Sequence, residues 1–192
     1  MNGLRNIFIA IAFTLFAANA RADDNGGGDG STPGNGENGG NGNEDDFRFF
    51  FSIVDGMQIR NDSAGGGSFG DPRSNSSGTH RGTDFLVVPF DFVYSPFLGR
   101  VTRKIQVYSD TTDWKGVEIG GLGDWENWIV KIFYLQSYDY LIGEIVEGGQ
   151  IIGTAQDISQ RVPGALPHVH IEVRDKSGNL YDPEDFFQNI IT

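Results

Sequence analysis

The stretch Leu166–Val173 carries two imidazoles and a carboxylate at every second position. Successive side chains of a β-strand point to opposite faces, so His168, His170 and Glu172 project one way and the apolar residues between them project the other. Two imidazoles at this spacing can reach a common metal ion, or one can bind the metal while its neighbour transfers protons. The residues alone do not decide which imidazole would bind. A solvated strand face with two incidental histidines is the alternative interpretation.

The third of the chain's three histidines, His80, precedes Asp84 by four residues. Gly78, Gly82 and Thr83 argue against a helix there, which predicts a loop that enters a strand near Asp84. Two imidazole nitrogens and one carboxylate oxygen make a three-ligand zinc site whose fourth position is open to water or a substrate carbonyl. Such a site is typical of a hydrolytic zinc. Because the chain has no cysteine, a thiolate-bound structural zinc is excluded.

Short apolar or alternating runs, separated by Gly, Pro and Asp turns, predict strands along most of the chain after residue 46. The pattern favours an all-β fold of antiparallel sheets, opened by the β-prone run Phe47–Val54. A short helix is expected only at the C-terminus, where Asp182 can cap it and Pro183 fits its first turn. The predicted strands cover residues 85–88, 92–94, 99–107, 116–119, 128–135, 144–146 and 168–173.

Two Gly-rich stretches lie in the second half of the chain. Residues 148–153 predict a turn into a buried strand, with a packing role. Residues 113–127, rich in Gly and Asp, predict a long hairpin or loop. The nearby Trp114, Trp125 and Trp128 either form a groove wall for a peptide or sugar, or cover one edge of the sheet.

The first residues are typical of a secretory signal peptide, predicted to span residues 1–22. Arg5 precedes the apolar run 7–18. Ala18 and Ala20 offer small residues for cleavage, with Ala20 and Ala22 as the second choice. The run is shorter than the roughly 20 apolar residues that a membrane span needs. We therefore expect export and no stable membrane span in the mature chain, with an uncleaved anchor as the alternative.

Residues 23–46 are Gly, Asn and acidic residues without an apolar core former, which predicts a disordered linker. Residues 47–192 then form one domain, long enough to bury a core. A cysteine-free exported protein fits the bacterial envelope, either periplasmic or extracellular, better than a small disulfide-stapled module.

The formal net charge is −12. Phosphate binding needs clustered cations, so this acidity argues against nucleic acid as a partner. It favours a cationic or neutral ligand, although a negative surface also serves solubility.

Five segments stand in a recognisable order and spacing over roughly residues 66 to 187: Ser68–Arg73, the His80-x-x-x-Asp84 motif, Gly148–Gly153, Pro167–Val173 and Tyr181–Pro183. In order and spacing these segments resemble those of the lysostaphin and LytM-like zinc endopeptidases. Residues 130–134 and 168–172 are most similar to the leukocyte cell-derived chemotaxin branch of that group, which is zinc-binding, secreted and regarded as non-hydrolytic.

The resemblance implies a LytM-like domain that acts on peptidoglycan peptides or binds another peptide ligand. It further implies that His80, Asp84 and His170 bind Zn²⁺ and that His168 is a catalytic histidine. Glu172 shares the strand face of the histidines and could hydrogen-bond a ligand imidazole from behind. A solvated or structural charge is the alternative for Glu172.

The chain departs from the active endopeptidases at Tyr134, which stands where they carry a second catalytic histidine. Loss of one group that stabilises an oxyanion typically costs about 100- to 1,000-fold in turnover. A phenol can still donate a hydrogen bond there, but its ordinary pKa of about 10 makes it a poor base. Two hypotheses follow: an exported zinc metalloendopeptidase with impaired activity, or a non-catalytic zinc-dependent binding or signalling protein.

Overall fold

The computed structural model of the chain describes residues 50–73 and 78–187. The predicted signal peptide (1–22) and linker (23–46) lie outside the described residues. All described residues belong to one compact unit, which spans residues 45–192. Within this described part, no helix has the length and apolar character needed to cross a bilayer.

The described residues form short strands that pair antiparallel throughout, which confirms the predicted all-β fold. Each of the seven predicted strands is present and begins and ends within two residues of its predicted limits. The strands are β1 (Asn61–Asp62), β2 (Gly65–Gly66), β3 (Thr83–Leu86), β4 (Phe92–Tyr94), β5 (Gly99–Gln106), β6 (Lys115–Gly121), β7 (Trp128–Phe133), β8 (Leu135–Ser137), β9 (Ile145–Val146), β10 (Ile151–Ala155), β11 (His168–Asp175) and β12 (Leu180–Tyr181).

Strand β11 lies at the centre of the arrangement that positions the site. The largest sheet of the described part has the order β12-β11-β7-β6-β5-β9, and β3 also pairs with β11. Strand β7 covers one edge of β11, while β3 and β12 share the other edge. A three-stranded sheet, β4-β10-β8, and the β1-β2 pair complete the described strands.

The alternation of β11 fixes which of its faces is buried. Val169, Ile171 and Val173 are fully buried in the core. Val130 and Ile132 of the neighbouring β7 are buried in the same cluster. Full burial of one such side chain stabilises the fold by about 1.5–3 kcal/mol. The apolar face therefore holds β11 in place and leaves its alternate residues to face away from the core.

The run Phe47–Val54 was predicted to be strand-like, and this is wrong for its described part, residues 50–54. Its backbone bonds go to separate partners: the Phe50 N–H donates to Phe186 O at 2.9 Å and the Phe51 N–H to Pro96 O at 2.8 Å. No single ladder can form from such scattered partners. The apolar residues still reach the core, where Phe50 packs edge-on against Phe97.

The C-terminal helix exists only as a 3-10 helix over Pro183–Phe186, and no α-helix forms in the described residues. Asp182 caps it as predicted, accepting from the Glu184 N–H at 2.9 Å. The Phe187 N–H closes onto Glu184 O at 3.1 Å, a three-residue spacing, and Phe187 is fully buried. The 3-10 helix ends at Phe186, whose carbonyl accepts from the Phe50 N–H.

Of the long hairpin or loop predicted over residues 113–127, the hairpin forms: β6 runs through this segment and pairs antiparallel with β7, the next strand, as well as with β5. The tryptophans do not form one wall. Trp125 packs on Phe97 and Trp128 packs on Phe186, so both cover the sheet, whereas Trp114 lies near Tyr134. The turn at residues 148–150 does lead into a partly buried strand, β10.

Candidate metal centre

The pairing of β3 with β11 brings the predicted site residues together. Asp84 on β3 lies directly opposite His170 on β11 in the strand register. His80 comes from the loop that precedes β3, and this loop is itself held by backbone bonds: the His80 N–H donates to Asp71 O at 2.8 Å, and the His80 carbonyl accepts from the Gly70 N–H at 2.9 Å. The loop-to-strand transition predicted near Asp84 is confirmed, since β3 begins at Thr83.

Gly82 allows this approach of loop and strand. A Cβ at this position would lie 1.9 Å from Ile171 O and 2.9 Å from Cε1 of His170. No larger residue fits while β3 keeps its distance from β11. The absence of a side chain at Gly82 therefore sets the spacing between His80, Asp84 and His170.

Three side-chain atoms converge on one point. His80 Nε2 lies 2.9 Å from His170 Nδ1, His170 Nδ1 lies 2.8 Å from Asp84 Oδ1, and His80 Nε2 lies 3.2 Å from Asp84 Oδ1. In a tetrahedral zinc shell with bonds of about 2.0 Å, neighbouring ligand atoms are about 3.3 Å apart. The three atoms form a group that could hold a metal ion, with a spacing close to that of a zinc shell.

The chemistry of these atoms also suits a cation. His80 Nδ1 lies 2.9 Å from Ser68 O. A carbonyl oxygen only accepts, so Nδ1 carries a proton. In the neutral ring the Nε2 lone pair then faces His170 and Asp84, whereas in the metal-free protein a proton on Nε2 can be donated to Asp84. The lone pair of His80 Nε2 and the carboxylate oxygen Oδ1 of Asp84 therefore face the same position. A divalent ion or a shared proton must lie there to offset the repulsion.

Arg60 fixes the far side of Asp84. Its guanidinium is 3% exposed and donates from Nε and Nη2 to Asp84 Oδ2, at 3.1 and 2.9 Å. The remaining donors reach Asp62 Oδ1 at 2.6 Å and the carbonyls of Gly65 and Gly66 at 3.0 and 3.3 Å. All five guanidinium N–H donors are thus used. Oδ2 is held by Arg60, and Oδ1 is left to face the two histidines.

The neighbouring charges keep Asp84 ionised. Burial raises the pKa of Asp84, but its hydrogen bonds to His170 and His80 outweigh burial and hold the pKa well below its usual range. Burial lowers the pKa of His170, and the carboxylates of Asp84 and Glu172 outweigh it, so that the pKa of His170 is raised. In the absence of a metal ion, the ionised Asp84 and the protonated His170 therefore form an ion pair.

His168 lies beside this group without joining it. Its Nε2 is 3.7 Å from Asp84 Oδ2, and its Nδ1 lies 2.7 Å from Leu166 O. Because the carbonyl accepts from Nδ1–H, the Nε2 lone pair is available to the cleft. Burial lowers the pKa of His168, so the ring is neutral at pH 7.

Tyr134 stands against His168, ring edge to face, with centroids 5.2 Å apart. It follows β7 with φ of 62°, a left-handed conformation that a residue with a side chain seldom adopts. Its hydroxyl lies 3.1 Å from the hydroxyl of Tyr108. Burial raises the pKa of Tyr134 further above its ordinary value, which keeps the phenol protonated.

Glu172 shares the face of the histidines, as predicted. Its Oε1 is 4.0 Å from His170 Nε2, which is an ion-pair distance longer than a hydrogen bond. Its Oε2 accepts from Arg174 at 2.9 and 3.2 Å. Burial raises the pKa of Glu172, but His170 and Arg174 outweigh it and lower the pKa to about 2. Glu172 thus acts on His170 through its charge.

These side chains line a cleft of about 530 Å³. Phe133 forms part of its floor, where its ring stacks on His170 at 5.1 Å. Arg60, which holds Asp84, was not identified from the sequence. No short-range pattern marks it, because it lies 24 residues before Asp84.

Comparison with known proteins identifies relatives of this chain. No protein-family model matches it. Leukocyte cell-derived chemotaxin-2 of Mus musculus is 32% identical over 117 residues, which cover 60% of this chain and 72% of that protein. Myeloid protein 1 of Gallus gallus is 30% identical over 119 residues, and the match spans only 34% of that protein's length.

Solved structures show the same fold. The catalytic domain of the antimicrobial peptidase lysostaphin from Staphylococcus simulans matches with a TM-score of 0.51 at 21% identity, covering 65% of this chain and 91% of that domain. LytU matches with a TM-score of 0.52 at 23% identity, covering 64% of this chain and 83% of that chain.

Proposed function

Because this chain belongs to the leukocyte cell-derived chemotaxin-2 family and has the lysostaphin/LytM-type fold, we propose that it is an exported zinc metalloendopeptidase-like protein. It acts on the peptide cross-links of peptidoglycan, with turnover impaired at Tyr134. The convergence of His80, Asp84 and His170 on one point carries the proposal. Zinc is the proposed ion because two imidazoles and one carboxylate form the donor set of catalytic zinc sites.

His80, Asp84 and His170 would hold the ion, each through one atom. When bound, zinc supplies a Lewis acid toward a peptide carbonyl. The protein supplies the rest: Arg60 keeps Asp84 in place, and the Ser68 carbonyl keeps the His80 ring in the orientation and tautomer that binding requires.

His168 is the proposed general base. Its Nδ1 proton is engaged by Leu166 O, its lowered pKa leaves it neutral at pH 7, and Nε2 is free to accept a proton from an attacking water. On collapse toward products the same nitrogen can return that proton to the leaving amine.

Tyr134 is the proposed weak point of the reaction. Its hydroxyl can donate a hydrogen bond to a developing oxyanion, but its raised pKa prevents it from acting as a base. His80, His168 and His170 are the chain's three histidines, so none remains to replace the missing group. Turnover about 100- to 1,000-fold below that of a two-histidine site is expected.

One observation favours a second candidate function, a non-catalytic protein that uses zinc to organise a binding or signalling surface. Tyr134 packs as part of the cleft wall, hydrogen-bonded to Tyr108 and edge-on to Trp114 at 6.4 Å. A phenol held this way serves packing and ligand contact and needs no reaction to explain it.

Amine release from purified peptidoglycan and from pentaglycine distinguishes the two candidates. After zinc content is measured, the zinc-loaded wild type is compared with His168→Ala and Tyr134→His, and with Tyr140→His as an exposed control. Slow release by the wild type, its loss in His168→Ala and a rise of about 100- to 1,000-fold in Tyr134→His support hydrolysis. If the wild type and all three variants release amine only at the buffer level, the binding function remains. A wild type that binds no zinc overturns both candidate functions.

A further inference from the structure

The charged side chains that line the cleft have a net positive charge, whereas the chain as a whole is negative. The protein has a net charge of −12, yet Arg60, Arg73 and Arg81 line the cleft against only two carboxylates, Asp84 and Glu172. Charge of one sign gathered in a concave site raises the local concentration of ligands of the opposite sign.

Both cleft carboxylates already have partners. Asp84 accepts two hydrogen bonds from Arg60, and Glu172 accepts two from Arg174. Arg60 in turn has no donor left for a ligand. Among the described residues, no carboxylate lies within hydrogen-bond distance of the two remaining cleft arginines, Arg73 and the exposed Arg81.

Arg73 is the better placed of these two arginines. Its Nη2 lies 3.6 Å from Asp84 Oδ2, an ion-pair distance outside hydrogen-bond range, and its side chain is 31% exposed. Within the described residues, no side chain or carbonyl accepts a hydrogen bond from its guanidinium. Its backbone is fixed, since the Arg73 N–H donates to Gly78 O at 3.3 Å in the loop that carries His80.

We propose that Arg73 forms a carboxylate-binding subsite beside the His80, Asp84 and His170 group. A planar guanidinium whose donors bind none of the described residues can match a carboxylate in two parallel hydrogen bonds, which an ammonium cannot reproduce. The ligand is a peptide that presents either its C-terminal α-carboxylate or the side chain of Asp or Glu. The subsite rests on the proposed function in that the same cleft holds the peptide. It also replaces the cationic or neutral ligand expected from the net charge with an anionic one.

Binding of three N-acetylated probes tests the subsite: pentaglycine with a free C-terminus, pentaglycine amide, and Gly-Gly-Glu-Gly-Gly amide. Calorimetric titration into the zinc-loaded protein and the metal-free protein gives Kd for each. We expect at least one carboxylate-bearing probe to bind about 10- to 100-fold more tightly than pentaglycine amide. Which of the two binds more tightly identifies the source of the carboxylate.

The variants separate Arg73 from the metal ion and from general charge. Arg73→Gln is expected to remove the carboxylate preference, Arg73→Lys to restore part of it, and Arg100→Gln, an exposed change of equal charge outside the cleft, to leave it unchanged. Equal Kd values for all three probes in the wild type, no measurable binding of any of them, or a preference that survives in Arg73→Gln overturn the subsite. Zinc content distinguishes this failure from that of the proposed function: zinc bound without a carboxylate preference removes the subsite alone.

Discussion

The guanidinium of Arg60 holds one oxygen of Asp84, with Nε at 3.1 Å and Nη2 at 2.9 Å from Oδ2, so that the other oxygen faces His80 and His170. A buried pair of this kind costs several kcal/mol when one partner is removed, because the other charge is left buried. The same contact orients Asp84 toward the candidate metal position. Stability and metal affinity are therefore linked at this contact.

Replacement of Arg60 is expected to weaken zinc binding. Arg60→Met should raise the zinc Kd by about 10- to 100-fold, the usual cost of losing a group that orients a metal ligand. Arg60→Lys should recover only part, because an ammonium cannot make the five bonds that the guanidinium makes. Competition with a chromophoric chelator measures Kd, and Arg103→Met, an exposed change on β5, is the control. An unchanged Kd in folded Arg60→Met would show that Arg60 does not position Asp84.

Individual histidine substitutions assign the ligands. His80→Gln and His170→Gln should each lose stoichiometric zinc, because each removes one atom of the converging group. His168→Gln should keep it, since Nε2 of His168 lies 3.7 Å from Asp84 Oδ2, the oxygen that Arg60 already holds. Elemental analysis after dialysis measures the zinc. If His170→Gln kept its zinc and His168→Gln lost it, His168 and not His170 would be the zinc ligand on β11.

Zinc affinity should fall as pH falls. The pKa of His170 is raised above 6.5, so protonated His170 is favoured in the metal-free protein, and zinc must displace that proton. Affinity should change by up to about tenfold per pH unit below this pKa and level off above it. Glu172→Gln removes a carboxylate that supports the protonated ring and should move the profile to lower pH. Kd measured between about pH 5.5 and 8.5 tests this, with exposed Glu147→Gln as the control, and coincident profiles would contradict it.

Gly82 should tolerate no side chain. Gly82→Ala places a Cβ against Ile171 O, so β3 must move away from β11, at a cost of about 3 kcal/mol in the free energy of unfolding. Zinc affinity should fall with it, because Asp84 and His170 lie on the two strands that separate. Gly120→Ala on β6 is the matched control, since its Cβ would meet Thr102 at an ordinary 3.4 Å. Urea unfolding with equal midpoints for the two variants would rule out this role of Gly82.

The sequence by itself determined most of the longer strands and the chemistry available to them. Alternation of apolar and polar residues is a local property, so β11 and its two faces follow from Leu166–Val173 without any knowledge of its neighbours. The residue types of His80, Asp84, His168 and His170 likewise limit the site to metal or proton chemistry.

Only the tertiary structure decided how these residues meet. His168 and His170 are equivalent by alternation, and it is the register of β3 against β11 that sets His170 opposite Asp84. Arg60 carries no signal in its own neighbourhood, because its partner lies 24 residues away and is reached through packing. At the C-terminus, the sequence indicated a helix capped by Asp182, and the structure gives its 3-10 form over Pro183–Phe186 beside the buried Phe187. Local pattern specifies strands and faces, whereas register, buried ion pairs and chain ends depend on contacts that no sequence window contains.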